Sequence, residues 1–365
     1  MKRNLWTATA LWMIVGLVLS ACAKPVDDVQ VGKPYKVAFV YSGSPDDLGW
    51  VYEHDRGRKM LEETLGERVK IVYIEDVQEG QDAARVFRRY VQEGYGLIFA
   101  TSRGYMDYVY QVAEEFPTVK FAHCSGARTR DNMATYFGRM YQPRYLSGIV
   151  AGKMTLNGNI GYVAPFPDPD VVLEINAFTL GVRSVNPNAR VTVRWTNTWY
   201  DPVKEREAAT ALLDADADII AQHQLTTEPQ KVAQERGMLS IGYNSDMRAF
   251  VGDTVLTSPA WNWGQYYIDT VQDALDGNWE THAYWGGMKE GVVQLADFSA
   301  KVPQPVRDLV EEAKQQLMAN DRIFCGPIKD QTGYEVVTAG RCLSDDEKRS
   351  MQFFVEGVVG KIPGD

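Results

Sequence analysis

The run Lys36–Tyr41, KVAFVY, is apolar after its first residue and shows no polar alternation. Such a run reads as a strand buried on both faces, the kind found in parallel sheets covered by helices. Gly49–Leu65 follows as a helix stopped by Gly66. Val69–Ile74 (VKIVYI) is the next strand and about Gly80–Gln92 the next helix. Gly96–Thr101 (GLIFAT), the helix Tyr105–Glu115 ended by Pro117, and the strand Val119–His123 continue the pattern. Repeated strand–helix units imply a parallel sheet with helices on both faces.

The pattern restarts after a long helix over Pro143–Leu156. Strands are predicted at Ile160–Val163, Val191–Trp195, Asp218–Ala221, Leu239–Tyr243 and Val255–Thr257. Helices are predicted at about Val171–Val185, at Pro202–Asp214, from about Pro229 behind a Thr227 cap, and at Trp261–Leu275 with Gly277 as its stop. Gly291–Leu295 (GVVQL) reads as one more strand. Two successive series of this kind predict an α/β protein of two doubly wound lobes. The N-terminal lobe is expected over 35–140 plus about 259–290, and the C-terminal lobe over 141–258 plus about 291–365.

The N-terminus has its own logic. Lys2 and Arg3 precede the uncharged run Leu11–Leu19, and small residues lead to Cys22. Charge, a short apolar core and a small-residue site make a secretory signal over 1–21. The core is too short to span ~30 Å of hydrocarbon. Leu19-Ser20-Ala21-Cys22 resembles the bacterial lipobox, which implies acylation of Cys22 and retention at a membrane surface. Residues 22–34 lack apolar periodicity and read as a tether. Beyond it about 330 residues remain, a size that usually divides into more than one domain.

Without its first 21 residues the chain carries 36 basic and 48 acidic residues, a formal charge of −12. No basic patch points to nucleic acid. Outside the cytoplasm Cys325 and Cys342 are placed to form a disulfide, leaving Cys124, which follows an apolar strand, as a buried free thiol. Catalytic signatures are missing. The sequence has no Walker A loop, no G-x-G-x-x-G after the first strand, no H-E-x-x-H and no G-x-S-x-G. Its four histidines, at 54, 123, 223 and 282, do not pair at helical metal-ligand spacing, so neither metal nor cofactor is expected.

In open α/β sheets ligands bind outside the carboxyl ends of the strands. Those ends carry Asp46, Asp47 and Trp50 after the first strand; Ser102, Arg103 and Tyr105 after the third; Phe166 after Ile160–Val163; Gln222, His223 and Gln224 after Asp218–Ala221; and Asn244 and Asp246 after Tyr243. Asp168-Pro-Asp170 reads as a turn. Trp199 is a candidate rim residue, and one of Trp261 and Trp263 a candidate functional ring. Aromatics with amides and a carboxylate or two suit a flat heterocycle with polar edges. A ligand bearing a carboxylate would want more arginine than Arg103.

The stretches Asp46–Gly57 (DDLGWVYEHDRG), Leu146–Gly152 (LSGIVAG), Ile160–Val163 (IGYV), Gly242–Asp246 (GYNSD) and Gly326–Asp330 (GPIKD), in this order, resemble the basic membrane protein family of substrate-binding lipoproteins. The resemblance covers nearly the whole chain beyond Cys22. It implies a type I periplasmic-binding-protein fold, capture of a small ligand between two lobes, and delivery to the permease of an ABC importer. It further implies an extracytoplasmic, membrane-anchored monomer. Nucleoside receptors of this family carry Asp-x-x-Phe-Asn. Here Asp47 matches the Asp, Trp50 the Phe, and Val51 replaces the Asn. Asp246 matches an aspartate that holds ribose hydroxyls in the family.

The sequence therefore favours a purine-type ligand, a free base such as adenine, with a purine nucleoside as the alternative. The ring is expected between Trp50 and Phe166, its edge read by Asp246 and Gln222, with Asp47, Tyr105, Trp199 and Trp263 nearby. Two readings from other classes are a nucleoside-processing enzyme, which needs a metal cluster or a paired acid and base, and a structural lipoprotein with a filled cleft.

Overall fold

The computed structural model describes residues 33–364. The expected signal, the lipidation site Cys22 and most of the tether lie outside the described residues. The first sheet is built from β1 (Tyr35–Val40), β2 (Val69–Ile74), β3 (Leu97–Ala100), β4 (Lys120–Cys124) and β5 (Met133–Gly138). Between them run α1 (Trp50–Leu65), α2 (Gln81–Gln92) and α3 (Met106–Glu115). After α4 (Tyr141–Met154) the second sheet takes β6 (Asn159–Ala164), β7 (Arg190–Trp195), β8 (Ile219–Gln222) and β9 (Leu239–Ser240). Its helices are α5 (Pro169–Val185), α6 (Pro202–Asp214), α7 (Glu228–Glu235) and the short α8 (Arg248–Val251). The chain then passes through β10 (Pro259–Trp261), α9 (Gly264–Asp276), β11 (Ala283–Gly286), β12 (Val293–Leu295) and α10 (Gln304–Ala319). The last elements are β13 (Ile328–Lys329), β14 (Glu335–Val337), α11 (Asp345–Arg349) and β15 (Val358–Val359).

The first sheet has the order β11-β5-β4-β3-β1-β2 and the second β15-β7-β6-β8-β9. Every pairing in both is parallel. This is the type I periplasmic-binding-protein architecture. β11 returns to the first sheet and β15 to the second, so each lobe is assembled from separated stretches of chain.

The unalternated hydrophobicity of β1 has a direct structural meaning. Val37 and Phe39 face a core shared with Leu61 of α1 and Tyr267 of α9. Ala38 and Val40 face a second core, with Phe87 of α2 and Val109 of α3. In the second lobe Ile160 and Tyr162 pack towards α4 and α5, while Val163 packs towards α6 and α7. Each of the Val, Leu, Ile and Phe side chains among them contributes about 1.5–3 kcal/mol of transfer free energy. Helices α4 and α5 touch backbone to backbone. A Cβ on Gly148 would lie 2.1 Å from the Phe178 carbonyl oxygen, and one on Gly181 would lie 2.0 Å from that of Tyr145.

Several expected boundaries move. β5 was not anticipated; MATYFG follows directly on the polar pair Asp131-Asn132. α4 begins at Tyr141, two residues before Pro143. A proline in the first turn loses no helical hydrogen bond, so it does not mark the start. Trp261 lies in β10, where Pro259–Trp261 pairs antiparallel with Val293–Leu295, and its helix starts only at Gly264. Val255 makes a single bridge to Ser240.

Candidate functional site

A cavity of about 350 Å³ opens where the carboxyl ends of both parallel sheets face each other. The first lobe lines it with Ser42 after β1, Ser102 after β3, Ser125 after β4, Phe137 of β5, and Trp50 at the start of α1. The second lobe contributes Asp170, Trp199, His223, Tyr243 and Asn244.

Trp50 is held from behind. Its Nε1 donates to the Thr101 carbonyl at 2.9 Å, and its ring stands edge-on to Trp261 at 5.4 Å and Trp263 at 6.1 Å. Those two rings stack at 4.7 Å, and His54 stacks on Trp263 at 5.1 Å. Burial pushes the His54 imidazole down to about 3, so it is a neutral member of the stack. Trp199 lies 5.9 Å from Phe166 and 6.1 Å from the ring of His223. The cavity thus has one indole from each lobe on its lining.

Its polar groups are of two kinds. Near the solvent side, the Ser102 hydroxyl donates to Glu79, and Arg103 reaches from the first lobe to Asp168 at 3.2 Å and Asp170 at 3.1 Å in the second. On the inner side of the second lobe sits a buried chain. Arg144 of α4 donates through Nε to Glu174 of α5 at 2.9 Å and through Nη1 to the Gln222 carbonyl at 2.7 Å. Its guanidinium lies 3.8 Å from the ring centroid of Tyr243, a cation over a π face. Glu174 Oε2 is 3.4 Å from His223 Nδ1, and His223 Nε2 is 3.1 Å from the Tyr243 hydroxyl. Burial raises the Glu174 carboxyl to about 7 against the pull of Arg144. Burial, with Arg144 beside it, holds the His223 imidazole well below its ordinary value, and burial lifts the Tyr243 phenol.

Ser102, Arg103, His223 and Asn244, read at strand ends, line the cavity, and of the eight residues expected against the ligand Trp50 and Trp199 do so. The others do other work. Phe166 stands behind Trp199 rather than on the lining. Gln222 is spent inside its lobe, donating to the Thr226 carbonyl at 2.9 Å and to Gln230 at 2.7 Å. Asp246 turns to Arg248, accepting from its Nη2 at 3.1 Å and from its backbone N–H at 3.2 Å. Asp47 accepts from the backbone N–H groups of Gly49, Val51 and Tyr52 at 2.8–3.0 Å and so caps α1. Tyr105 lies in the core and donates to the Val77 carbonyl at 2.7 Å. Trp263 is fully buried behind Trp50. Asp168 and Asp170, read as a turn, hold Arg103 instead. Glu79, Ser42, Ser125 and Phe137 were not singled out from sequence. For Ser42, Glu79 and Ser125 the only signal was position past a strand, and Phe137, inside the unanticipated β5, had none. Away from the cavity, Cys325 and Cys342 form a disulfide, and Cys124 is a buried free thiol whose ionisation burial suppresses.

Among the described residues no group of three or more His, Cys, Asp and Glu is arranged to hold a metal, and no helix is long and apolar enough to cross a membrane. The arrangement offers two indoles and a set of hydrogen-bonding edges in a small cleft. That equips it to bind a small molecule.

Comparison with known proteins agrees. A purine-binding protein of Brucella abortus is 44% identical over 351 residues, covering 96% of this chain and 98% of the relative. A putative ABC transporter glucose-binding protein of Haloferax volcanii is 41% identical over 336 residues, covering 91% of this chain and 82% of the relative. The structure of an ABC transporter solute-binding protein from Aeropyrum pernix superposes with a TM-score of 0.70 at 19% identity, covering 87% of this chain and 96% of that one, which shows a shared fold. The family model for ABC transporter substrate-binding proteins, PnrA-like, matches residues 35–331. With this fold and a ligand-sized cleft between its sheets, the chain belongs to the PnrA-like family of ABC transporter substrate-binding proteins, extracytoplasmic proteins that hand a small molecule to a membrane permease.

Proposed function

We propose that this protein captures a purine base, adenine in the first instance, between Trp50 and Trp199 and delivers it to its permease. The body 35–140 with 259–290 closes on the body 141–258 with 291–365, and acylation of Cys22 keeps the monomer at the membrane surface. Closure is a population shift that the ligand drives by binding the closed state more tightly.

The observation that carries the choice of a base over a nucleoside is the position of Asp246. Its carboxylate is paired with Arg248 and is not on the cavity lining. A ribose therefore does not meet Asp246 there, and the carboxylates that do line the cavity, Asp170 and Glu79, are taken up by Arg103 and the Ser102 hydroxyl, while a flat ring finds an indole from each lobe. A volume of about 350 Å³ stands at the small end of ligand pockets, which run from roughly 300 to 1,000 Å³. The Brucella relative's name supports a purine. The Haloferax relative's name supports a second reading, a sugar stacked on the same two indoles. Base stacking on an aromatic is worth ~1–3 kcal/mol per base.

Mass spectrometry of whatever the purified protein releases on denaturation tests this, followed by adenine binding to Trp50→Ala and Trp199→Ala. Release of adenine, and a loss of roughly tenfold or more in either variant, is expected from that stacking energy. Release of a hexose with no purine would establish the sugar reading instead.

A further inference from the structure

From the chain Glu174–His223–Tyr243 we infer that the Tyr243 phenolic oxygen meets the ligand as a hydrogen-bond acceptor, and so selects a purine that presents an exocyclic amine. This rests on the purine reading above and adds the rule by which one purine is told from another.

Arg144 is fully buried, and the carboxylate it pairs with is that of Glu174. Breaking such a pair would leave a buried charge uncompensated. Glu174 Oε2 therefore stands fixed 3.4 Å from His223 Nδ1. His223 is buried, and its Nδ1 has no hydrogen-bond partner of good geometry. A neutral imidazole carries one N–H. With the proton on Nε2, the lone pair of Nδ1 would face the carboxylate, acceptor against acceptor. With the proton on Nδ1, the N–H faces negative charge. The carboxylate thus fixes the Nδ1–H tautomer, as an outer partner commonly fixes the ring nitrogen it faces. Nε2 is then an acceptor, and the group 3.1 Å away is the Tyr243 hydroxyl, which must donate. That donation uses the only phenolic proton. What remains on Tyr243, a residue of the cavity lining, is an oxygen with lone pairs. Arg144, 3.8 Å from the centroid of the Tyr243 ring, helps hold the phenol in place. His223 and Glu174 are positioning residues, and Tyr243 is the residue that reads the ligand.

Two measurements test this. The first needs no ligand. ¹⁵N-histidine spectra at roughly pH 8, above the range in which Glu174 titrates, with His223→Gln to assign the signal, should show His223 protonated at Nδ1 only. Protonation at Nε2 overturns the inference. The second is calorimetry of wild type and Tyr243→Phe with adenine and with unsubstituted purine. Adenine should lose about tenfold in Tyr243→Phe, the worth of one hydrogen bond, and unsubstituted purine should change little. An equal change for both ligands overturns the selection of an exocyclic amine, because both also carry a ring N–H, and leaves the purine reading intact. Wild type that binds neither ligand removes the purine reading itself, and with it the role of Tyr243.

Discussion

The two lobes meet the same cavity with walls of different construction, each containing an arginine paired with carboxylate. In the first lobe Arg103 is about half exposed and reaches across the cleft to Asp168 and Asp170. In the second, Arg144 is fully buried and pairs with Glu174 on the neighbouring helix of its own lobe. The chemistry is the same and the surroundings are opposite. A wet pair between lobes is easily made and broken, and suits opening and closing. A dry pair within a lobe cannot be broken cheaply, and suits holding a hydrogen-bond pattern still. The close contact of α4 and α5 at Gly148 and Gly181 keeps Arg144 and Glu174 in register.

The contrast is broken most severely by removing Arg144. Arg144→Ala leaves Glu174 buried without its partner and should cost about 3–5 kcal/mol of stability, read from denaturant unfolding. Arg144→Ala with Glu174→Ala should cost less than the sum of the two single substitutions. A loss below about 1 kcal/mol for Arg144→Ala would place it with surface pairs.

Second in size is the disulfide in the tail. Cys325 and Cys342 are separated by 17 residues. Closing a loop of that length is worth about 3 kcal/mol in the chain-entropy model. Cys325→Ser with Cys342→Ser should lower stability by that order and leave ligand affinity unchanged, since neither residue lines the cavity. A parallel fall in affinity would tie the tail to the site.

The third effect is on pH. Burial raises Glu53 in the first lobe and Glu205 in the second to about 7, above the 4.5 of an unperturbed glutamate. Between those values the folded chain holds protons that the unfolded chain has lost. Stability is therefore higher towards the acid end of that window and falls as pH rises through about 7. Glu205→Gln should flatten part of this slope, and an unchanged slope would remove Glu205 as a source.

The smallest expected change in stability comes from Arg103→Ala, below about 1 kcal/mol because the pair is solvated. Its effect should appear in kinetics, as faster ligand release whose dependence on ionic strength is weaker than in wild type. Stopped-flow release that is identical in the two proteins would remove the Arg103 pair as a brake on opening.

The fold was legible because the central strands are buried on both faces. KVAFVY leaves little choice of state, and the edge strand β2, partly exposed but rich in β-branched residues, falls at Val69–Ile74 as read. The loops past those strands were legible as well, because ligand position follows topology. Which side chain in each loop faces the cleft was not, since neighbouring residues at a strand end point to opposite sides. Gln222 was preferred and its neighbour His223 faces the cavity. Asp246 was preferred and Asn244 faces it, because Asp246 is taken up by Arg248 at the start of α8. Trp50 was readable because it stands at the first position of a helix entering from a strand. Glu79 was not, because the loop after β2 has no aromatic or motif to draw attention to it.

The most direct test is calorimetric titration of the wild-type protein with adenine, adenosine and glucose under one set of conditions. Adenine should bind with the highest affinity, adenosine more weakly because Asp246 is committed to Arg248, and glucose not measurably. Tight binding of glucose with no heat from adenine or adenosine would contradict the purine assignment.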